Sequence, residues 1–112
     1  DKTNVSATVE LLTKWYNAPI GLGQAWVELT GFRVGNTNYT NTTQRSITVF
    51  VWLGAAAIQT AAIFVDGVET SFSSFEAGNG NTGATAPVNT GGVYKSYAQY
   101  GTQNASYWAE LR

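Results

Sequence analysis

The sequence predicts a mainly β domain preceded by a short N-terminal helix. Three observations carry this expectation. Beyond Gly23 apolar residues recur with a period of two, and β-branched and aromatic types dominate. Stretches rich in Gly and Asn separate these runs in the manner of turns. Only the segment before residue 20 keeps a helical period, with Val5, Val9, Leu12 and Tyr16 at i, i+4, i+7 and i+11.

Taken in order, the helix spans residues 4–16, with Asn4 or Ser6 as its cap. Asn17-Ala18-Pro19 ends it, because Pro lacks the amide hydrogen of a further turn and disfavours helical geometry in the residue before it. About three turns of helix are marginal alone in water, so this one must pack on the domain or on copies of itself. Residues 1–20 are therefore read as a neck segment and 21–112 as the β domain proper.

Strands are expected at 25–30, 45–53, 58–66, 68–75, 93–100 and 106–112. In the second, Ile47, Val49, Val51 and Leu53 face one way and Ser46, Thr48, Phe50 and Trp52 the other. The first set is core; the second is either another buried layer or a subunit interface. Asp66-Gly67 stands between two strand patterns and predicts a type I′ hairpin, whose two central residues need positive φ. Two polar stretches read as long loops, 35–44 and 76–92. The second has seventeen residues, five of them Gly, and loops of that length in a compact domain are commonly functional or disordered.

Composition narrows the function. At 112 residues the chain holds one core. Charged residues are 12%, about half the usual ~25%, so the surface is built from Thr, Asn, Ser, Gln and Gly. A net charge of -1 with six scattered Lys and Arg offers no basic stripe for nucleic acid or for an anionic membrane. No apolar run is long enough to span a bilayer, and the most apolar stretch, 47–63, is broken by Thr48, Gly54, Gln59 and Thr60. Without Cys or His there are no disulfides, no thiolate and none of the commonest zinc ligands or general bases. The absence of Met, including at position 1, fits a segment of something longer.

Chemistry-bearing motifs are sparse. Gly21-Leu22-Gly23-Gln24-Ala25-Trp26 has Trp where a dinucleotide fingerprint needs its third Gly, and reads as a turn entering a strand. Glu69 and Glu76 are an odd seven residues apart and would point to opposite faces of one strand. Glu28 and Glu110 would meet only if their strands pair; otherwise the carboxylates are solvated or serve Arg33, Arg45 and Arg112. The expectation is a non-enzymatic chain that needs no cofactor or metal. Tyr94, Tyr97, Tyr100, Tyr107 and Trp108 crowd the last two strands, where they serve a core, an interface or sugar stacking. Asn79, Asn81 and Asn89 in the second long loop, with Tyr94 directly after it, are the candidate ligand-binding residues.

Several of these segments occur in a telling order. Gly21-Leu22-Gly23-Gln24-Ala25-Trp26 is followed by Tyr39-Thr40-Asn41-Thr42-Thr43-Gln44-Arg45-Ser46-Ile47, then Asp66-Gly67, then a closing Trp108-Ala109-Glu110-Leu111-Arg112. From about Gly21 onward the chain resembles the short C-terminal receptor-binding domains of bacteriophage and prophage tail fibres. It differs in having Ser46 where such domains commonly carry Pro, and in the length of the 76–92 stretch. The resemblance implies an antiparallel, jelly-roll-like β-sandwich that forms a homotrimer at the fibre tip of the virion. It also implies binding to a host-cell receptor, whether lipopolysaccharide, capsule or an outer-membrane protein, with no catalytic residues. Two other readings fit the composition: a trimerisation or capping domain whose fibre recognises its host elsewhere, and a monomeric soluble lectin.

Overall fold

A computed structural model describes residues 21–56, 58–75 and 80–112. The expected helix over residues 4–16, and the neck segment 1–20 that contains it, lie outside the described residues. The described chain is mainly β, with eight strands: β1 (Trp26–Glu28), β2 (Tyr39–Thr40), β3 (Ile47–Ala56), β4 (Gln59–Val65), β5 (Val68–Phe75), β6 (Gly80–Val88), β7 (Val93–Tyr97) and β8 (Tyr107–Leu111). They form two antiparallel four-stranded sheets with strand orders β1-β8-β3-β6 and β2-β7-β4-β5.

One core fills the space between the sheets. Ile47, Val49, Val51 and Leu53 of β3 are buried as the alternation predicts, and they meet Ala61 and Ile63 of β4, Ala84, Ala86 and Val88 of β6, Tyr94 of β7 and Trp108 of β8. The core side chains on β6 are small, and Trp108 and Tyr94 are the largest fully buried side chains of the core. Burying this apolar surface is what compensates the conformational entropy of ordering loops so rich in Gly and Asn.

Six expected strands are present with boundaries shifted by a few residues, and 68–75 matches residue for residue. The stretch 76–92 departs from expectation. Residues 80–88 are not loop but β6, paired along its length with β3 from Ile47↔Val88 to Gly54↔Asn81. Thr82, Ala84, Ala86 and Val88 are buried at period two, so excising 78–89 as a loop would remove one wall of the core. The expected strand 93–100 stops at Tyr97, because Ala98 exchanges its backbone hydrogen bonds with the Gln103 side chain instead of a neighbouring strand.

The two sheets also join along one edge. β5 and β6 end their respective sheets, and the inward hydroxyls of β5 reach across to β6. Ser73 Oγ donates to the Gly83 carbonyl at 2.7 Å and bonds the Thr82 hydroxyl, and Ser71 Oγ accepts from the Thr85 amide at 3.3 Å. A bulge between Ile63 and Phe64 leaves Thr70 as the extra residue on β5, and its hydroxyl donates to the Ile63 carbonyl. Exposed backbone edges are thereby reduced on that side.

The hairpin between β4 and β5 is the turn that Asp66-Gly67 predicts, with φ of 52° and 80° closing the Val65↔Val68 pair. Nothing stands within 4 Å of where a Cβ on Gly67 would lie, so a side chain there meets no clash and only its backbone conformation is disfavoured. Gly67→Val is expected to lower unfolding stability by about 1–2 kcal/mol, read from urea denaturation, with the fold unchanged by circular dichroism.

Candidate functional site

The three described candidate residues do not form one site. Asn79 lies outside the described residues. Asn81 and Asn89 are exposed, but Asn81 lies at the start of β6 and Asn89 just past its end, about 26 Å apart at the usual strand rise. Asn89 accepts a hydrogen bond from the Ser46 hydroxyl at 2.9 Å, fastening the end of β6 to the start of β3.

Tyr94 is corrected from a ligand contact to a core residue, with 1% of its surface exposed. It faces inward from β7 because Val93, Lys95 and Tyr97 take the outer positions of the same strand. Its hydroxyl donates to Glu110 Oε2 at 2.8 Å, and Glu110 has no exposed surface. The same oxygen accepts from Trp108 Nε1 at 3.0 Å and Arg33 Nε at 3.2 Å, while Arg112 Nε lies 3.5 Å from Oε1. Arg33 also lies 4.8 Å from the centroid of Tyr39, whose ring packs against both Tyr94 and Trp108.

Glu110 thus answers the question of carboxylate pairing. β1 and β8 do pair, but the register sets Val27 against Glu110 and Glu28 against Ala109, so the two carboxylates occupy opposite faces. Glu110 serves Arg33 and Arg112, as one sequence alternative holds, and is buried rather than solvated. Burial of Tyr94, then its hydrogen bond and proximity to the Glu110 charge, pushes its phenol from 10.0 up to about 12. Burial alone would lower the Arg33 pKa, but the attraction of Glu110 and Tyr94 outweighs it and the net direction is upward.

A solvent-open groove of about 570 Å³ lies on the outer face of the β2-β7-β4-β5 sheet, lined by Asn38, Phe64, Asp66, Gly67, Val93 and Lys95. The register builds it. Phe64 stands between Lys95 on β7 and Glu69 on β5, and the next outward row is Tyr97, Ala62 and Phe72. Phe64 and Tyr97 meet edge to face with centroids 5.9 Å apart. The Lys95 ammonium lies 5.2 Å from the Phe64 centroid and 5.7 Å from that of Tyr97, and donates to Asn36 Oδ1 at 3.4 Å. Asp66 Oδ1 accepts from the Val93 amide at 2.9 Å, fixing the turn against β7.

The loop that supplies Asn36 and Asn38 is held firmly. Asn36 takes a φ of 54°, which Asn tolerates well, and its amide donates to the Ser96 carbonyl at 2.6 Å. Gly35 donates to Asn104 Oδ1 at 3.0 Å and sits so close to Gln103 that a Cβ would overlap its carbonyl. On the far side of β2, buried Asn41 donates to the carbonyls of Arg45 and Val88 and accepts from both the amide and the hydroxyl of Thr43. The 35–44 stretch is therefore a positioned arm containing a two-residue strand.

Among the described residues no group of three or more Asp and Glu is arranged to hold a metal ion, and no helix is long and apolar enough to cross a membrane. No protein-family model matches the chain, no curated protein matches it, and no solved structure matches it.

The Glu110 cluster gives two expected outcomes. Glu110→Gln turns one acceptor end into a donor facing Arg33, Trp108 and Tyr94, and should cost about 3 kcal/mol in urea unfolding. For Tyr94, the folded pKa lies above the unfolded value, so at pH between the two the unfolded chain binds fewer protons. Its contribution is complete below pH 10 and is lost as pH rises through about 12, a fall of roughly 2–3 kcal/mol. Comparing urea midpoints across that range in the wild type and in Tyr94→Phe checks it; the variant should lack this alkaline decline.

Proposed function

We propose that the chain is a non-catalytic receptor-binding tip domain of a bacteriophage tail fibre, acting as a homotrimer that attaches to a bacterial cell-surface glycan. The strand orders β1-β8-β3-β6 and β2-β7-β4-β5 support reading the two sheets as a jelly-roll sandwich, an architecture found in capsid and lectin domains. The ordered sequence motifs from Gly21 to Arg112 support the fibre reading.

The observation that carries the proposal is the difference between the two outer faces. That of the β1-β8-β3-β6 sheet presents Trp26, Leu111, Phe50, Tyr107, Trp52 and Pro87, with Glu28 the charged residue among its paired positions. Trp26 is 55% and Trp52 42% exposed, and a broad aromatic face of this kind favours contact with another protein surface. The other outer face combines an aromatic floor with Asn38, Asp66 and Lys95 in a groove. Apolar surface edged by a few directed polar groups suits a sugar ring, which has C–H faces and equatorial hydroxyls. One face supports assembly and the other recognition, pointing away from the assembly contact.

Three weak sugar sites on one axis gain strength from effective concentration on a repetitive cell surface. The capping alternative keeps the assembly face and makes the groove silent. The monomeric lectin alternative keeps the groove and leaves Trp26 and Trp52 exposed to solvent.

Light scattering on a sizing column should give a mass near three times 12.0 kDa, and the purified chain should adsorb to bacterial cells in competition with their surface polysaccharide. A monomer that adsorbs supports the lectin alternative. A trimer without adsorption supports the capping alternative.

A further inference from the structure

Resting on the glycan reading above, we infer that the groove between β7 and the β4–β5 turn selects an acidic sugar, one whose carboxylate is bound by Lys95. The argument begins with what Lys95 lacks. An ammonium has three hydrogen-bond donors, and among the described residues its polar contact is the single amide oxygen of Asn36 at 3.4 Å. The buried carboxylate of Glu110 pairs with Arg33 and Arg112, not with Lys95. Glu69 shares its outer row but lies two strands away across Phe64, about 10 Å at the usual strand spacing.

The ammonium is nevertheless held in place. The rings of Phe64 and Tyr97 lie within cation–π range of it, and Asn36 is itself pinned by its amide bond to Ser96. A cation positioned over apolar surface, with donors left over and no ion-pair partner among the described residues, attracts an anionic acceptor more strongly than a neutral hydroxyl.

The other end of the groove restricts what that anion belongs to. Asp66 commits Oδ1 to the Val93 amide, so its second oxygen is the one left to accept from a ligand donor. A simple anion such as phosphate is repelled there, whereas a sugar hydroxyl is a suitable donor. Phe64 and Val93 form apolar surface between the two charges, and Asn38 lines the groove with a further amide. A pyranose that carries a carboxylate at one end and hydroxyls at the other satisfies all of these groups together. A neutral sugar leaves Lys95 unanswered, and a polyanion without hydroxyls is opposed by Asp66.

The test uses the full chain, uniformly labelled with nitrogen-15, titrated with oligogalacturonate, its methyl ester, a glucuronate oligomer, 3-deoxy-octulosonate and a neutral glucan oligomer. Expected are amide shifts at Gly67, Val93 and Lys95 with at least one acidic probe, and affinity about tenfold weaker for the ester than for the acid. Lys95→Gln should weaken acid binding about tenfold while Lys95→Arg retains most of it, with both variants folded by the same spectra. Equal affinity for acid and ester overturns the inference and leaves the glycan reading intact. Absence of groove shifts with every acidic probe, or shifts confined to another surface, also overturns it. Adsorption of wild type and Lys95→Gln to bacterial cells, run in parallel, separates the two failures. Adsorption that the variant preserves sinks only the acidic-sugar groove, whereas no adsorption by the wild type sinks the proposed function itself.

Discussion

A single buried carboxylate constrains the half of the domain where β1 and β2 end their sheets. Glu110 has no solvent contact, so its charge is tolerable only while Arg33, Trp108 and Tyr94 all direct donors at Oε2. Those donors come from different places. Trp108 shares β8 with Glu110, Tyr94 belongs to β7 in the opposite sheet, and Arg33 lies in the connection between β1 and β2. Satisfying one carboxylate therefore fixes the separation of the two sheets and the path of a loop at once. The opposite edge is joined instead by the hydroxyls of Ser71 and Ser73. One edge is specified by an ion and its cage, the other by small polar side chains that let strands come close.

The low charge content has a structural counterpart in the use of side-chain amides where other proteins use ladders or ion pairs. Asn41, Gln59 and Gln103 each bond backbone groups in the connections between strands. Gln59 is fully buried, with its Nε2 donating to the carbonyls of Thr60, Tyr100 and Thr102 and its Oε1 accepting from the Thr102 amide. A primary amide is both donor and acceptor in one plane, so it imitates a peptide group and closes a turn without burying charge. Connections that read as loose in sequence are held in this way. The arm that brings Asn36 and Asn38 to the groove is fixed partly by the same means, the side-chain amide oxygen of Asn104 accepting from the Gly35 N–H, and partly by a backbone bond from the Asn36 N–H to the Ser96 carbonyl.

How much of this was legible in the sequence follows from which interactions are local. The alternation in β3 and the Asp66-Gly67 turn depend on neighbours in the chain, and both were readable. β6 was missed because Gly, Asn and Pro punctuate it and because its inward residues are small. Yet Ala84, Ala86 and Val88 do recur at period two, a signal available to a reading that counts Ala as core. Tyr94 looked like a ligand contact because it follows a polar stretch, but the parity of β7 turns it inward while Lys95 faces out. The Glu110 cage and the groove join residues far apart in sequence, Arg33 with Glu110 and Asn38 with Lys95. No spacing rule in a single sequence reports such pairings. The sequence allows Arg33 and Glu110 as partners, but the burial that makes the pairing decisive comes from the packing of the whole domain around Glu110.

The strand order also decides what each outer face can do. β3 and β8 lie at the centre of the first sheet, so Phe50, Trp52, Tyr107 and Leu111 form a continuous surface rather than an edge. β7 and β4 hold the corresponding places in the second sheet, where the outward Lys95 and Tyr97 of β7 stand against the outward Phe64 and Ala62 of β4. The turn at Asp66 closes one end of that row and the arm at Asn38 one side, which converts a flat sheet face into a groove. A broad face dominated by aromatic side chains has little means of choosing among small ligands, but it suits a large complementary surface. A groove with a fixed cation and a fixed carboxylate has the reverse property: it offers little area and specific directions. Under the proposed reading, the separation of these faces by the thickness of the core lets assembly and recognition be tuned independently, since a substitution on one outer face reaches the other only through the packed residues between them.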